Sequence, residues 1–298
     1  MKLATTTGDF SNYGANQLDA LSYIKEAGFS YADYNFHVDY VKRDGVYSDG
    51  HKEYFDKVKA HCERIGISLV QAHAPMGDPI AKDNDRFIRD TVRCVEACGE
   101  WGIKNLVVHS GYEEGLTKEQ TLIENKRFFT PVLKAAEIYG VNILVENFNK
   151  RGEEIFWIDK ASELLELIEL VDHPFFHAVW DVGHANMHKM PQNEELLLLG
   201  DHVRALHIQD NNGMRDDHLT PFIGTLNMDS VMRGLIDIGY TGYFTFEVGR
   251  VFTPPEIKRQ FSSDERLLKA PLELKRAYEK YLYELGKITL SSYGLFEE

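Results

Sequence analysis

The chain has 298 residues, enough for one large core or two small ones, and its 43% hydrophobic and 27% charged residues are those of an ordinary soluble protein. A formal net charge of −14 argues against nucleic acid as a bulk partner, because such binding rests on neutralising phosphates with Lys and Arg. No strictly aliphatic run is longer than residues 196–199, far short of a membrane span, and the start MKLATTTGDFSNYG lacks the apolar core of a signal peptide.

A first strand is expected over residues 2–7. From there a cadence of helix stops runs along the chain: Ala27-Gly28-Phe29, Ile65-Gly66-Ile67, Trp101-Gly102-Ile103, Tyr139-Gly140-Val141 and Ile238-Gly239-Tyr240. Each reads as a helix end, a glycine in the left-handed closing position, and an apolar strand start. The first four glycines are 36 to 38 residues apart, one strand-loop-helix-loop unit each, and the 99 residues from Gly140 to Gly239 hold three more units. Residues 52–64, 86–100, 122–138 and 161–170 carry apolar side chains at three-and-four spacing, the pattern of amphipathic helices. Strands apolar on both faces, alternating with such helices, call for a parallel sheet, and repeated right-handed crossovers close it. The predicted fold is a (β/α)8 TIM barrel. Pro254-Pro255 then breaks the pattern, and residues 272–285 read as one more helix. We therefore expect a single domain over residues 1–298, with residues 252–298 a C-terminal helical extension that closes the barrel or meets a second copy.

Cys62, Cys94 and Cys98 form neither a zinc spacing nor a redox pair, which predicts a reduced, cytoplasmic protein. No glycine-rich nucleotide loop is present.

The chemistry lies at the strand ends. Six apolar runs each finish on one acid/base or metal-capable side chain: ISLVQAH at His73, NLVVH at His109, VNILVE at Glu146, FHAVWD at Asp181, VRALH at His207 and YFTFE at Glu247. A charge at the mouth of a buried strand is costly unless it is paired or bound to a cation. On a barrel, C-terminal strand ends converge on one cavity. Glu146, Asp181, His207 and Glu247 form a mixed oxygen and nitrogen set suited to one divalent ion such as Mn²⁺, Co²⁺, Mg²⁺ or Zn²⁺.

The segments LVVHSG, ILVENFN, VWDVGHAN, LHIQDN, DDHLTPFIGTLNMDS and FTFEV, in this order, resemble the xylose-isomerase-like barrel superfamily of sugar isomerases, epimerases and abasic-site endonucleases. The resemblance runs to about Val248. Its ketose 3-epimerase branch implies that Glu146, Asp181, His207 and Glu247 hold one metal ion, with Glu146 and Glu247 as the proton-transfer pair. It also implies His184 as a contact to substrate oxygen, with Arg215 as a candidate second contact. The endonuclease branch implies a larger zinc set that matches His73, His109, Glu146, Asp181, His184, His207, Asp216, His218 and Glu247.

His73 and His109 therefore stand as pocket walls, substrate contacts or ligands of a second metal. Asp216 and His218 either bind a second metal or order the loop after the seventh strand. Asn147 and Asn149 fit a sugar hydroxyl contact or a local turn, and Trp157 and Trp180 fit a sugar face or core packing. The expected activity is a metal-dependent sugar isomerase or epimerase that removes a proton beside a ketone and passes through an enediolate. A lyase or dehydratase acting on a keto-cyclitol or 3-keto-glycoside through the same site is the first alternative. A zinc-dependent phosphodiesterase is the second. The expected partner is a small sugar or cyclitol, and the acidic barrel with an added helix leaves a homo-oligomer open.

Overall fold

The structure, a computed structural model, describes residues 1–149, 155, 157–249 and 272–298. Its strands are β1 (Lys2–Thr6), β2 (Tyr31–Asn35), β3 (Ser68–His73), β4 (Asn105–Val108), β5 (Asn142–Glu146), β6 (Phe176–Asp181), β7 (Val203–His207) and β8 (Tyr243–Phe246). The helices among the described residues are α1 (Gln17–Ala27), α2 (His37–Lys42), α3 (His51–Ile65), α4 (Asp85–Trp101) and α5 (Lys118–Tyr139). They continue with α6 (Ala161–Val171), α7 (Val182–Asn186), α8 (Gln192–Leu199), α9 (Met228–Asp237) and α10 (Leu272–Ser292).

All strand pairs are parallel, in the order β7-β6-β5-β4-β3-β2-β1-β8. The ring joins between β7 and β8 by a short bridge. There the Ile208 N–H donates to Thr245 O (2.8 Å) and the Glu247 N–H to Ile208 O (3.1 Å). This joint lies one residue past His207 and involves Glu247 itself, so closing the barrel also sets these two side chains against each other. The predicted TIM barrel is the fold observed.

The five glycines read as helix stops all have positive φ, from 63° at Gly140 to 117° at Gly28, backbone that favours a residue without a Cβ. The helices match their apolar periodicity closely, with one instructive exception. Helix α5 starts at Lys118 because Thr117 and Gln120 form a reciprocal capping box, a polar start that an apolar pattern does not register.

The barrel interior is divided. Val107, Leu144, Val179 and Ala205, from β4 to β7, form their own apolar cluster. The opposite side is polar: Asp33, Gln71 and Thr245 are buried, and Thr245 Oγ1 reaches Gln71 Oε1 (3.4 Å) between the non-adjacent strands β8 and β3.

The expected extra helix is present as α10, longer than its periodicity suggested. The Pro254-Pro255 break lies outside the described residues. A Cβ at Gly286 would meet Leu3 and Phe246 at 2.7 and 2.8 Å, so this glycine lets α10 approach the barrel. A buried ion network fastens the contact. Lys275 Nζ lies 2.6 Å from Glu279 Oε2 and 3.8 Å from Asp9 Oδ2, with Lys275 only 1% exposed. Thr5 Oγ1 donates to Glu279 Oε1 (2.8 Å), and Asp9 Oδ2 accepts the Val248 N–H (2.8 Å) beside Glu247. Removing one partner of a buried ion group leaves an uncompensated charge. Lys275→Ala is accordingly expected to cost about 3–5 kcal/mol in urea denaturation. A loss within experimental error of zero would contradict the network's role.

Candidate active site and metal centre

Glu146, at the end of β5, is 1% exposed and lies among imidazoles. His207 Nδ1 is 2.8 Å from its Oε1, while His109 Nε2 and His73 Nε2 are 2.9 and 3.3 Å from its Oε2. His184 Nδ1 is 3.6 Å from Oε1. Oε2 nonetheless makes no hydrogen bond of acceptable geometry, so a buried carboxylate oxygen is left for a cation to satisfy. Donor atoms of Glu146, Asp181, His207 and Glu247 all fall within 4.8 Å of one another. The structure thus brings together the four strand ends read as one ligand set, and the donors suit a divalent ion.

A second group adjoins the first. Atoms of His184, Asp216 and His218 also lie within 4.8 Å of one another. His218 Nε2 is 3.1 Å and His184 Nε2 3.5 Å from the Asp216 carboxylate. The ring orientations are informative. His73 Nδ1 faces Ala74 O (2.7 Å), His184 Nδ1 faces Asn147 O (2.9 Å) and His218 Nδ1 faces Glu247 O (3.0 Å). A carbonyl only accepts, so each Nδ1 carries a proton and each Nε2 is presented to a carboxylate, the way a protein prepares an imidazole for a metal.

Local structure holds these groups. The Asn147 side chain accepts the Asp181 N–H (2.8 Å) and donates to Asp181 O (2.9 Å), clamping β6 to the end of β5. Asn147 is fully buried and both its polar atoms bond to the Asp181 backbone, so it serves the frame of the site. Asn149 donates to Asp216 Oδ2 (3.1 Å). After β7, Asp210 accepts the N–H groups of Gly224 (2.9 Å) and Leu226 (3.0 Å), folding back the loop that carries Asp216 and His218. Trp180 is core packing, 1% exposed with Nε1 donating to Gln192 Oε1 (3.2 Å). Trp157 packs on Phe148, which also meets the His109 ring. Arg215 holds its Nε 3.7 Å from Asp217 Oδ1, with its side chain 46% exposed.

The charges are strongly coupled. Burial alone would raise Glu146, but the His207 and His109 imidazoles hold it well below the usual carboxylate range. Burial opposes the charged form of His207, yet Glu146 and Glu247 raise it to about 10. Burial, reinforced by Glu146 and Glu247 against the pull of His184, lifts Asp181 to about 6. Despite burial, Asp216 raises His218 to about 10, and its own carboxyl is held far down by His218 and His184. A cavity of about 180 Å³ opens beside this centre, lined by Glu247, His218, Asp9, Asn35, His37 and Met76 among others. A larger one, about 760 Å³, lies outside it between the α8 and α9 N-terminal regions, along Lys189, Gln192, Asn227 and Arg233.

A family model described as xylose isomerase-like TIM barrel matches residues 21–267. The chain belongs to the xylose isomerase-like TIM barrel family. Among curated relatives, an uncharacterized protein of Methanocaldococcus jannaschii, MJ1311, is 33% identical over 196 residues, 62% of this chain and 66% of that protein. Fructoselysine 3-epimerase of Escherichia coli O157:H7 is 30% identical over 113 residues, 38% of this chain and 40% of its own length. The chain thus spans less than two thirds of both relatives. Among solved structures, a D-tagatose 3-epimerase-like protein superposes with a TM-score of 0.73 at 21% identity, covering 98% of this chain and 97% of its own. The IolI protein with a bound zinc atom gives 0.74 at 18% identity, covering 100% of both chains. These two likenesses concern the fold that the xylose isomerase-like family shares.

The folded-state value of His207 is raised, so its charge stabilises fully below its ordinary pKa of ~6.5 and that contribution is lost as pH climbs through about 10. Chelator-treated protein should therefore weaken in urea between pH ~7 and ~10.5, and His207→Gln should lack that component. An identical pH dependence in both proteins would contradict the assignment.

Proposed function

We propose that this protein is a divalent-metal-dependent sugar epimerase or isomerase acting at a carbon beside a ketone. The observation that carries the reading is the buried four-residue cluster of Glu146, Asp181, His207 and Glu247, with one Glu146 oxygen lacking a hydrogen bond. Family membership and the epimerase names among the relatives support it. A cation bound there would supply Lewis-acid stabilisation of the negative charge that develops on the substrate. The four residues would hold it, and Mn²⁺, Co²⁺, Mg²⁺ and Zn²⁺ all suit the donors.

Glu146 and Glu247 come from different strands and both approach His207 Nδ1, at 2.8 and 3.6 Å. As a pair they would take a proton from one face of the enediolate-forming carbon and return it to the other. His184, His109 and His73 would line the substrate position, and Arg215 would add a contact to a distal oxygen. The substrate is a small sugar or cyclitol. No described helix is long and apolar enough to cross a membrane, and a cytoplasmic setting fits the three free, buried cysteines. The single-domain organisation over residues 1–298, and a homo-oligomer in which α10 takes part, belong to the same proposal.

The test is a screen of ketoses, including D-tagatose, D-psicose and fructoselysine, in D₂O with Mn²⁺ or Co²⁺. We expect deuterium at the carbon beside the ketone, and loss of exchange by at least about a hundredfold in Glu146→Gln and Glu247→Gln. Exchange retained in both variants would remove the two-glutamate mechanism. The products separate epimerisation from elimination, since a lyase releases water or an aglycone where an epimerase inverts a centre.

A second reading has its own observation. The carbonyl-anchored rings of His184 and His218 face Asp216 as ligands of a second metal would. With His73 and His109 this allows two or three zinc ions and a metal-assisted phosphodiesterase. Cleavage of an abasic oligonucleotide by zinc-loaded protein would favour it. The net charge of −14 weighs against it.

A further inference from the structure

One buried amide joins the two clusters. Gln209, two positions past His207, has 0% exposure. Its Nε2 lies 2.8 Å from Asp216 Oδ1 and 3.3 and 3.5 Å from the two oxygens of Asp181. Ionised carboxylates accept and do not donate, so chemistry alone puts the NH₂ end of the amide between them. Its other end is left worse off. Gln209 Oε1 is buried without a hydrogen-bond donor, so the water it gave up on folding is not replaced.

The backbone opposite is shaped to admit this amide. A Cβ at Gly183, in α7, would fall 2.1 Å from Gln209 Cδ and 2.6 Å from Nε2. Gly183 has no positive φ to require a glycine, so the space taken by Gln209 is the reason a side chain is excluded. The same stretch is tied from a second side, where Asn211 Nδ2 donates to Gly183 O (2.6 Å).

We propose that Gln209 is the positioning residue that aligns the Asp181 and Asp216 carboxylates with each other, and so couples the two clusters at the barrel mouth. The proposal rests on the reading of Asp181 as a metal ligand. One amide donor shared by two carboxylates lowers their mutual repulsion and fixes the rotation of both about their terminal bonds. Without it, Asp181 keeps its backbone clamp from Asn147 and the His184 N–H on Oδ1 (2.7 Å), but loses the donor that faces the second cluster. Gly183 acts through Gln209 and belongs to the same device.

The experiment uses Co²⁺ alone as probe, with affinity from chelator competition and coordination from the visible spectrum. Wild type is compared with Gln209→Met, which keeps the length and removes the donor, and with Gly183→Ala, which displaces the amide without changing it. Both variants should bind Co²⁺ about tenfold or more weakly, the usual effect of losing a hydrogen bond to a ligand, with shifted visible bands. If one variant fails to fold, the other decides. Affinities within twofold of wild type and unchanged bands would overturn the positioning role while leaving the metal reading intact. Wild-type protein that binds no Co²⁺ would overturn the metal reading, and this inference with it. A merely structural residue would lower the unfolding midpoint without moving the bands.

Discussion

Everything at the mouth of this barrel follows from one electrostatic constraint: the Glu146 carboxylate is buried among His73, His109, His184 and His207. An isolated carboxylate there would be prohibitive, so opposite charge must be supplied. The fold supplies it from several strands at once, which a closed parallel barrel brings to one point. The imidazoles answer part of the charge, and Asp181 and Glu247 add more of it. The imidazoles meet that charge when protonated, and the same cluster of donors also suits a divalent cation.

The supporting structure reads as a set of consequences. Asn147 clamps β6 to β5 because Asp181 must not drift from Glu146. Asp210 folds back the loop after β7, which returns Asp216 and His218 to the Glu247 strand end. The short β7–β8 joint sets Glu247 against His207. Asp9 holds the Val248 N–H and is itself held near Lys275, so the helix beyond the eighth unit reaches the chain next to Glu247 through two hydrogen-bonded or ionic contacts. That link gives α10 a structural reason to be present.

Much of this is legible in the sequence, for a definite reason. A parallel barrel imposes a period on glycine stops and puts polar residues at the ends of apolar runs, so Glu146, Asp181, His207 and Glu247 stand out from the order of residues alone. Lone residues beyond a strand end do not. Gln209 lies inside LHIQDN but only the folded chain brings it between two carboxylates, and its orphaned Oε1 is invisible to pattern. Asn147 reads equally well as a hydroxyl contact because sequence carries no information about where two amide atoms point. Lys275 sits in an ordinary amphipathic helix, where a lysine reads as solvated. Arg215 rests on the family resemblance alone, and in the structure its guanidinium is turned toward Asp217.

The most direct measurement is an anomalous difference map from crystals grown with Mn²⁺. The account predicts a peak enclosed by Glu146, Asp181, His207 and Glu247. Crystals fully exposed to Mn²⁺ that show no peak there, or only one among His184, Asp216 and His218, would contradict it.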